Sequence, residues 1–289
     1  MQRLLCATLC ACAWQFAFAT ISITDDDGRM LVLEQPARRV VTLSPSLAEI
    51  VFAIGGGDRL VGVSSYSDDP PEALQIPVVS SPGRIDAERL QMLRPDLIIG
   101  WRSGNPMRDI ARLKRGSVPV FMTEPKNLAD ISRITRAIGM LLGLEDAAVA
   151  VAGRFDDAIA SVAMHSPSSV SVFVEIWHKP MLTVSGGHLM SDILRICGAT
   201  NVFANIPTLT ARVSAEQLLV ANPALLIVSG TVDAAPATIE RWRSFKTIKA
   251  VRDQRIVIID PRILHRQGLR IIEGVRQVCA AVRDMGSAR

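Results

Sequence analysis

The segment Ala87–Trp101, AERLQMLRPDLIIGW, decides the fold. It reads as a short helix, a proline turn, a buried strand and an aromatic at the strand's end. The run Leu97-Ile98-Ile99 is continuously apolar, as in strands covered on both faces. The segment Ala215–Gly230, AEQLLVANPALLIVSG, repeats the pattern. Glu88 and Glu216 align 128 positions apart; Leu90 then matches Leu218, Pro95 matches Pro223, and Leu97-Ile98-Ile99 matches Leu225-Leu226-Ile227. Solenoid repeats have periods of roughly 20–50 residues, so this is another kind of duplication. It predicts two similar α/β lobes, each holding an equivalent helix–strand unit. Each glutamate opens its helix, where a negative charge suits the helix dipole.

Working outward, short Val/Ile-rich strand patterns alternate with helical ones along the chain, which predicts largely parallel sheets. An N-terminal α/β lobe is expected over residues 38–143, preceded by a small hairpin at Ile21–Ile23 and Met30–Leu33. Its first core strand is Arg39–Leu43, and Ser46 is placed to cap the helix Leu47–Ile54 in a capping box with Glu49. The longest unbroken helical pattern, Glu145–Met164, spans some 30 Å at about 1.5 Å per residue. It occupies residues 144–167, where a linking helix between lobes belongs. A C-terminal α/β lobe is expected over residues 168–289, with Thr238–Lys249 as an amphipathic segment and Gly268–Met285 as the closing helix. Two lobes facing each other leave a ligand cleft between them.

The N-terminus carries a compartment signal. Arg3, the apolar run Leu4–Trp14 and Ala17-Phe18-Ala19 have the n-region, h-region and A-x-A site of a cleavable secretory signal over residues 1–19. A lipoprotein signal ending at Cys12 is the rival, with an imperfect box at Leu9-Cys10-Ala11-Cys12. Both readings export the protein to an oxidising compartment. Cys197 and Cys279 are then the two cysteines left, an even number in an oxidising compartment. They are either disulfide-bonded or two buried thiols, and no ligand-like spacing accompanies them. The formal charge of +4 is mild and dispersed, which argues against a nucleic-acid partner.

The sequence shows no catalytic signature: no G-x-S-x-G, P-loop, Rossmann glycine fingerprint, H-E-x-x-H or, beyond the signal, C-x-x-C. The histidines His165, His178, His188 and His265 are scattered and make no metal signature. Binding has positive support instead. In open α/β sheets ligands sit at the carboxyl ends of strands. The loops there are polar and bear aromatics: Ser64–Asp69 with Tyr66, Trp101–Asn105, Glu175–Lys179 with Trp177 and His178, and Asp260–Arg266. Ser64, Tyr66, Trp101, Asn105, Trp177 and His178 are therefore the ligand-binding candidates. Aromatic walls suit a large, flat, amphipathic ligand.

These residues carry a family resemblance. Val61-Gly62-Val63-Ser64-Ser65-Tyr66-Ser67-Asp68, Leu93-Arg94-Pro95-Asp96-Leu97-Ile98 and Trp101-Arg102-Ser103-Gly104-Asn105 resemble the helix-linked class of ABC-transporter substrate-binding proteins. Within that class they are most similar to the periplasmic vitamin B12-binding branch; other branches take haem and ferric siderophores. The resemblance runs from about Arg39 to Val282. It implies two Rossmann-like lobes joined by one long helix, and a non-catalytic monomer with no catalytic cofactor that carries cobalamin or a related corrinoid. It implies that Tyr66 and Trp101 line the corrin pocket, and that Cys197 and Cys279 form the family's disulfide. Glu88 and Glu216 would sit at the lobe tips and pair with arginines of a permease dimer served by ATPase subunits. The chain departs from the pattern where Asp260–Arg266 lacks the family's tryptophan, where Ser81-Pro82-Gly83 replaces a tryptophan, and where Trp177-His178 replaces a Gly-Ile-Asn-like segment. One wall of the pocket is thus rebuilt, which leaves the particular corrinoid open. The rivals are haem or ferric-siderophore capture, an α/β metal enzyme or nitrogenase-like scaffold, and a sensor subunit that docks on a receptor.

Overall fold

A computed structural model describes residues 20–163, 170–231 and 233–286. The expected signal segment 1–19, with the alternative at Cys12, and the end of the expected linking helix lie outside the described residues. A hairpin of β1 (Ile21–Thr24) and β2 (Met30–Leu33) comes first, as its alternation predicts. Then follow β3 (Val40–Thr42), β4 (Leu60–Ser64), β5 (Val78–Ser81), β6 (Arg84–Ile85), β7 (Leu97–Trp101) and β8 (Val120–Thr123). They form one sheet in the order β6-β5-β4-β3-β7-β8, parallel except for the β5–β6 pair. A second sheet holds β9 (Val170–Glu175), β11 (Ala199–Asn201), β13 (Leu225–Ser229) and β14 (Ile256–Ile259), all parallel, in the order β11-β9-β13-β14. A separate antiparallel ribbon pairs β10 (Leu182–Val184) with β12 (Thr210–Arg212).

The repeat is structural. Helix α1 (Pro45–Ala53) follows β3, and α2 (Ala87–Met92) precedes β7 as α7 (Ala215–Ala221) precedes β13. Glu88 and Glu216 are each the second residue of their helix, and both are exposed. The caps are Asp86 and Ser214, whose side chains accept from the third-residue amides Arg89 and Gln217. Leu97 and Ile99 bury into one core cluster while Ile98 buries into another on the opposite face. Leu225 and Ile227 part from Leu226 and Val228 in the same way. All six residues of the matched triplets are at most 1% exposed. Burying each contributes about 1.5–3 kcal/mol, which explains why the run has no polar phase.

The expected linking helix is present as α5 (Glu145–Val162), and it does not span the lobes alone. Helix α4 (Leu128–Leu142) lies antiparallel against it. The start of α4, at Leu128 and Ile131, packs with Phe155 of α5 in the second-lobe core. Its end, at Ile138 and Leu141, packs with Ala148 and Val151 in the first-lobe core. The two helices touch closely, since a Cβ on Gly139 would lie 2.2 Å from that of Ala148. Asp156 of α5 accepts from Ser132 and Arg136 of α4. The connector is therefore a pair of closely packed helices.

Two local expectations change. Ser44 rather than Ser46 is the N-cap of α1, because Pro45 fits the first helical position; no capping box forms, and Ser46 Oγ bonds Ser44 Oγ at 2.8 Å. Thr238–Lys249 is broken into α8 (Ala235–Arg243) and α9 (Lys249–Arg252). The remaining helices are α3 (Met107–Leu113), α6 (Leu189–Ile196), α10 (Pro261–Leu264) and α11 (Ile271–Gly286). Cys197, at the end of α6, is disulfide-bonded to Cys279 in α11, 82 residues on. Both cysteines are fully buried in the second-lobe core. Among the described residues no helix is long and apolar enough to cross a membrane.

Candidate ligand-binding site

A cleft of about 850 Å³ opens between the lobes at the carboxyl ends of their strands. On the first-lobe side, Trp101 closes β7 and Glu124-Pro125-Lys126 follow β8. The Trp101 ring packs directly against Gly104, where a Cβ would fall 1.9 Å from the indole. Asn105 pins this loop: its Oδ1 accepts the Trp101 N–H at 2.7 Å, and its Nδ2 donates to the Leu43 carbonyl at 2.8 Å. Glu124 accepts the Ser103 N–H at 2.8 Å, while its own N–H donates to Asp26 in the β1–β2 turn at 2.6 Å. The first wall is thus held from behind by short hydrogen bonds.

The second-lobe side is built from Ile176 after β9, Gly187-His188-Leu189 at the start of α6, Thr208-Leu209-Thr210 leading into β12, and His265 and Gln267 after α10. Gly186 lets two loops meet, since a Cβ there would lie 2.7 Å from the Ala204 carbonyl oxygen. His188 is the N-cap of α6, its Nδ1 accepting the Met190 N–H at 3.1 Å. His265 Nε2 bonds Ser229 Oγ, and Ser229 ends β13 where Trp101 ends β7 in the first lobe. Burial lowers both imidazoles to a pKa of about 4, with the His188 charge adding to the effect on His265. Glu124 and Lys126 supply one charge of each sign to the lining. Trp101 Nε1 and Gln267 Oε1, a donor and an acceptor from opposite walls, are buried without protein partners.

One edge of the cleft is latched. Arg266 reaches from the second lobe to Glu49 of α1 at 2.8 Å, to Asp68 at 2.7 Å and to the Tyr66 carbonyl at 2.9 Å. Arg270 adds Asp69 at 3.0 Å. Burial pushes the Glu49 carboxyl up against the opposing pull of Arg266, whereas the Arg266 hydrogen bond holds Asp68 down. Glu49, expected as a helix-capping partner, instead joins the lobes.

Of the sequence-derived candidates, Trp101 lines the cleft. Tyr66, Ser64, Asn105, Trp177 and His178 are not among the residues lining it. Tyr66 follows β4 in the left-handed region, φ 65°, and is 71% exposed. Trp177 follows β9, is 62% exposed, and donates its indole N–H to the Lys179 carbonyl at 2.9 Å. His178 lies 3.5 Å from Glu175, which Arg241 grips with two hydrogen bonds. Ser64 is buried and bonds Ser67 Oγ at 3.3 Å. Gln267 carries no signal in the sequence, whereas His188 and His265 read there as scattered histidines without a metal signature, His265 within the candidate loop Asp260–Arg266; the Gly186-Gly187 pair before a helix start is the signal that marks His188. His165 lies outside the described residues.

The two neutral imidazoles make stability depend on pH. Their folded pKa values lie below the unfolded value near 6.5, so the unfolded chain binds protons more tightly between about pH 6.5 and 4. Their contribution is full above pH 6.5 and is lost as the pH falls towards 4, by about 3 kcal/mol each at the limit. The wild-type unfolding midpoint should drop across this window more steeply than that of a His188→Asn/His265→Gln double variant. Equal slopes in the two proteins contradict the assignment.

The periplasmic binding protein family matches residues 40–263. The vitamin B12-binding protein of Photorhabdus laumondii is 32% identical over 253 residues, covering 86% of this chain and 89% of the relative. The crystal structure of the periplasmic vitamin B12 binding protein BtuF of Vibrio cholerae superposes with a TM-score of 0.78 at 31% identity, over 86% of this chain and 97% of that one. The periplasmic heme-binding protein RhuT from Roseiflexus sp. RS-1 has a TM-score of 0.75 at 22% identity, over 86% and 98%, and shares the fold alone. With two α/β lobes, a paired-helix connector and a ligand cleft between the strand ends, this chain belongs to the periplasmic binding protein family.

Proposed function

We propose that the protein captures cobalamin or a related corrinoid in the inter-lobe cleft and delivers it to an ABC importer. The observation that carries this reading is the wall chemistry: a Trp101 face and apolar side chains, with Glu124 and Lys126 balancing each other. Haem brings two propionates, and anionic ferric siderophores bring charge as well. Such ligands call for convergent cations, and among the described lining residues Lys126 is the one lysine or arginine. A large, flat, uncharged ligand whose rim is rich in amides fits better. The likeness to vitamin B12-binding relatives supports the same choice.

Tyr66, Trp177 and His178 form the outer rim in this proposal. Two exposed aromatics at strand ends leave apolar area in water that a flat ligand covers. The left-handed backbone at Tyr66, tied by Arg266, presents that ring at the latched edge. Ser64 and Asn105 act from behind, by holding the loops.

Glu88 and Glu216 are proposed as the docking carboxylates for a two-fold permease dimer. Their equivalence within the repeat supports this, because a pseudo-symmetric carrier offers matching charges to a symmetric partner. Met92 and Val220 lie one turn further along the same helix faces and are 74% and 88% exposed.

Replacing Trp101 with Ala is expected to weaken cyanocobalamin binding by about 2 kcal/mol, roughly thirtyfold in Kd. Equilibrium dialysis against labelled cyanocobalamin checks this. Unchanged affinity contradicts the placement of the ligand on the Trp101 face.

A further inference from the structure

His188 has an assigned proton. The Met190 N–H donates to its Nδ1 at 3.1 Å, so Nδ1 holds a lone pair and no hydrogen. A neutral ring then carries its proton on Nε2. Burial keeps the ring neutral down to about pH 4, so this tautomer holds at periplasmic pH. The ring lines the cleft, and with Nδ1 engaged in the cap, Nε2–H is its remaining polar group. The neighbouring His265 has its Nε2 engaged with Ser229 Oγ.

We propose that His188 is a specificity-determining residue that donates a hydrogen bond through Nε2–H to a neutral acceptor on the ligand, such as an amide carbonyl, and does not coordinate a metal. The proposal deepens the corrinoid reading and rests on it. The helix cap is what fixes the choice. An imidazole used as a metal ligand needs a lone pair on the coordinating nitrogen, and the cap consumes the available one at Nδ1. Rotating the ring to free that lone pair would strip the first turn of α6 of its cap. The corrin rim carries many amide carbonyls, whereas haem would draw on the same residue through its iron. One side chain therefore discriminates between the two ligands by tautomer.

Two measurements test this. In the free protein labelled with ¹⁵N-histidine, long-range ¹H–¹⁵N spectra should show His188 as the Nε2–H tautomer; the Nδ1–H form overturns the proposal whatever the ligand is. His188→Asn keeps a good N-cap and removes the donor at the imidazole's reach. It should bind cyanocobalamin about tenfold more weakly, with an unchanged unfolding midpoint at pH 7.5. Equal affinity of wild type and His188→Asn overturns the proposal while leaving the corrinoid reading intact. A wild type that does not bind cyanocobalamin overturns the corrinoid reading and the proposed acceptor with it. A histidine-ligated haemin spectrum in the wild type that is lost in His188→Asn also overturns the proposal, since it would put iron on Nε2.

Discussion

A Cys197→Ala/Cys279→Ala variant is expected to lose about 4 kcal/mol of unfolding free energy. The bond closes a loop with a sequence separation of 82, and the chain-entropy relation assigns roughly 4–5 kcal/mol to a loop of that length. Both sulfurs lie in the second-lobe core, where α6 meets α11. Helix α11 also packs on α5, so loosening it weakens the base on which the connector sits. The effect is therefore larger than a local one, and it should appear in urea unfolding of the oxidised wild type against the variant. A difference below about 1 kcal/mol would mean that the denatured chain holds these helices together without the bond.

The second large effect concerns docking. In cells that carry the variant in place of the wild-type chain, Glu88→Ala/Glu216→Ala should reduce cyanocobalamin uptake by on the order of a hundredfold. Cyanocobalamin affinity should stay within about twofold. Losing one partner of a desolvated interfacial charge pair costs about 2–5 kcal/mol, and the variant loses two. Both carboxylates are exposed at the starts of their helices and are not among the residues that line the cleft. The separation of uptake from affinity is the diagnostic feature. Uptake that stays at the wild-type level contradicts the docking proposal, and a parallel loss of affinity places the glutamates in binding.

Much of this architecture is legible in the repeat around Glu88 and Glu216. The apolar triplets must be buried on both faces, and only helices on both sides of parallel strands accomplish that. The long helix at Glu145 is readable from its unbroken pattern, and Trp101 from its position at a strand's end. What escapes is what depends on pairings between distant segments. Glu49 reads locally as a capping partner of Ser46, and its true partner, Arg266, is 217 residues away. Helix α4 reads as an ordinary amphipathic helix because the lobe each end serves is a tertiary fact. His188 and His265 read as scattered histidines; the Gly186-Gly187 pair marks a tight turn before α6, and only the tertiary fold brings the two rings together beside Ser229 and the cleft. Asn105 shows the reverse: a polar residue in a candidate loop whose side-chain amide is taken up by the Trp101 N–H and the Leu43 carbonyl.

The central claim is that the inter-lobe cleft holds an uncharged corrinoid. The most direct test is calorimetric titration of the purified protein with cyanocobalamin and, separately, with haemin. The account predicts tight one-to-one binding of cyanocobalamin and much weaker binding of haemin. Tight haemin binding without cyanocobalamin binding would contradict it, and would move the ligand to the haem branch of the same fold.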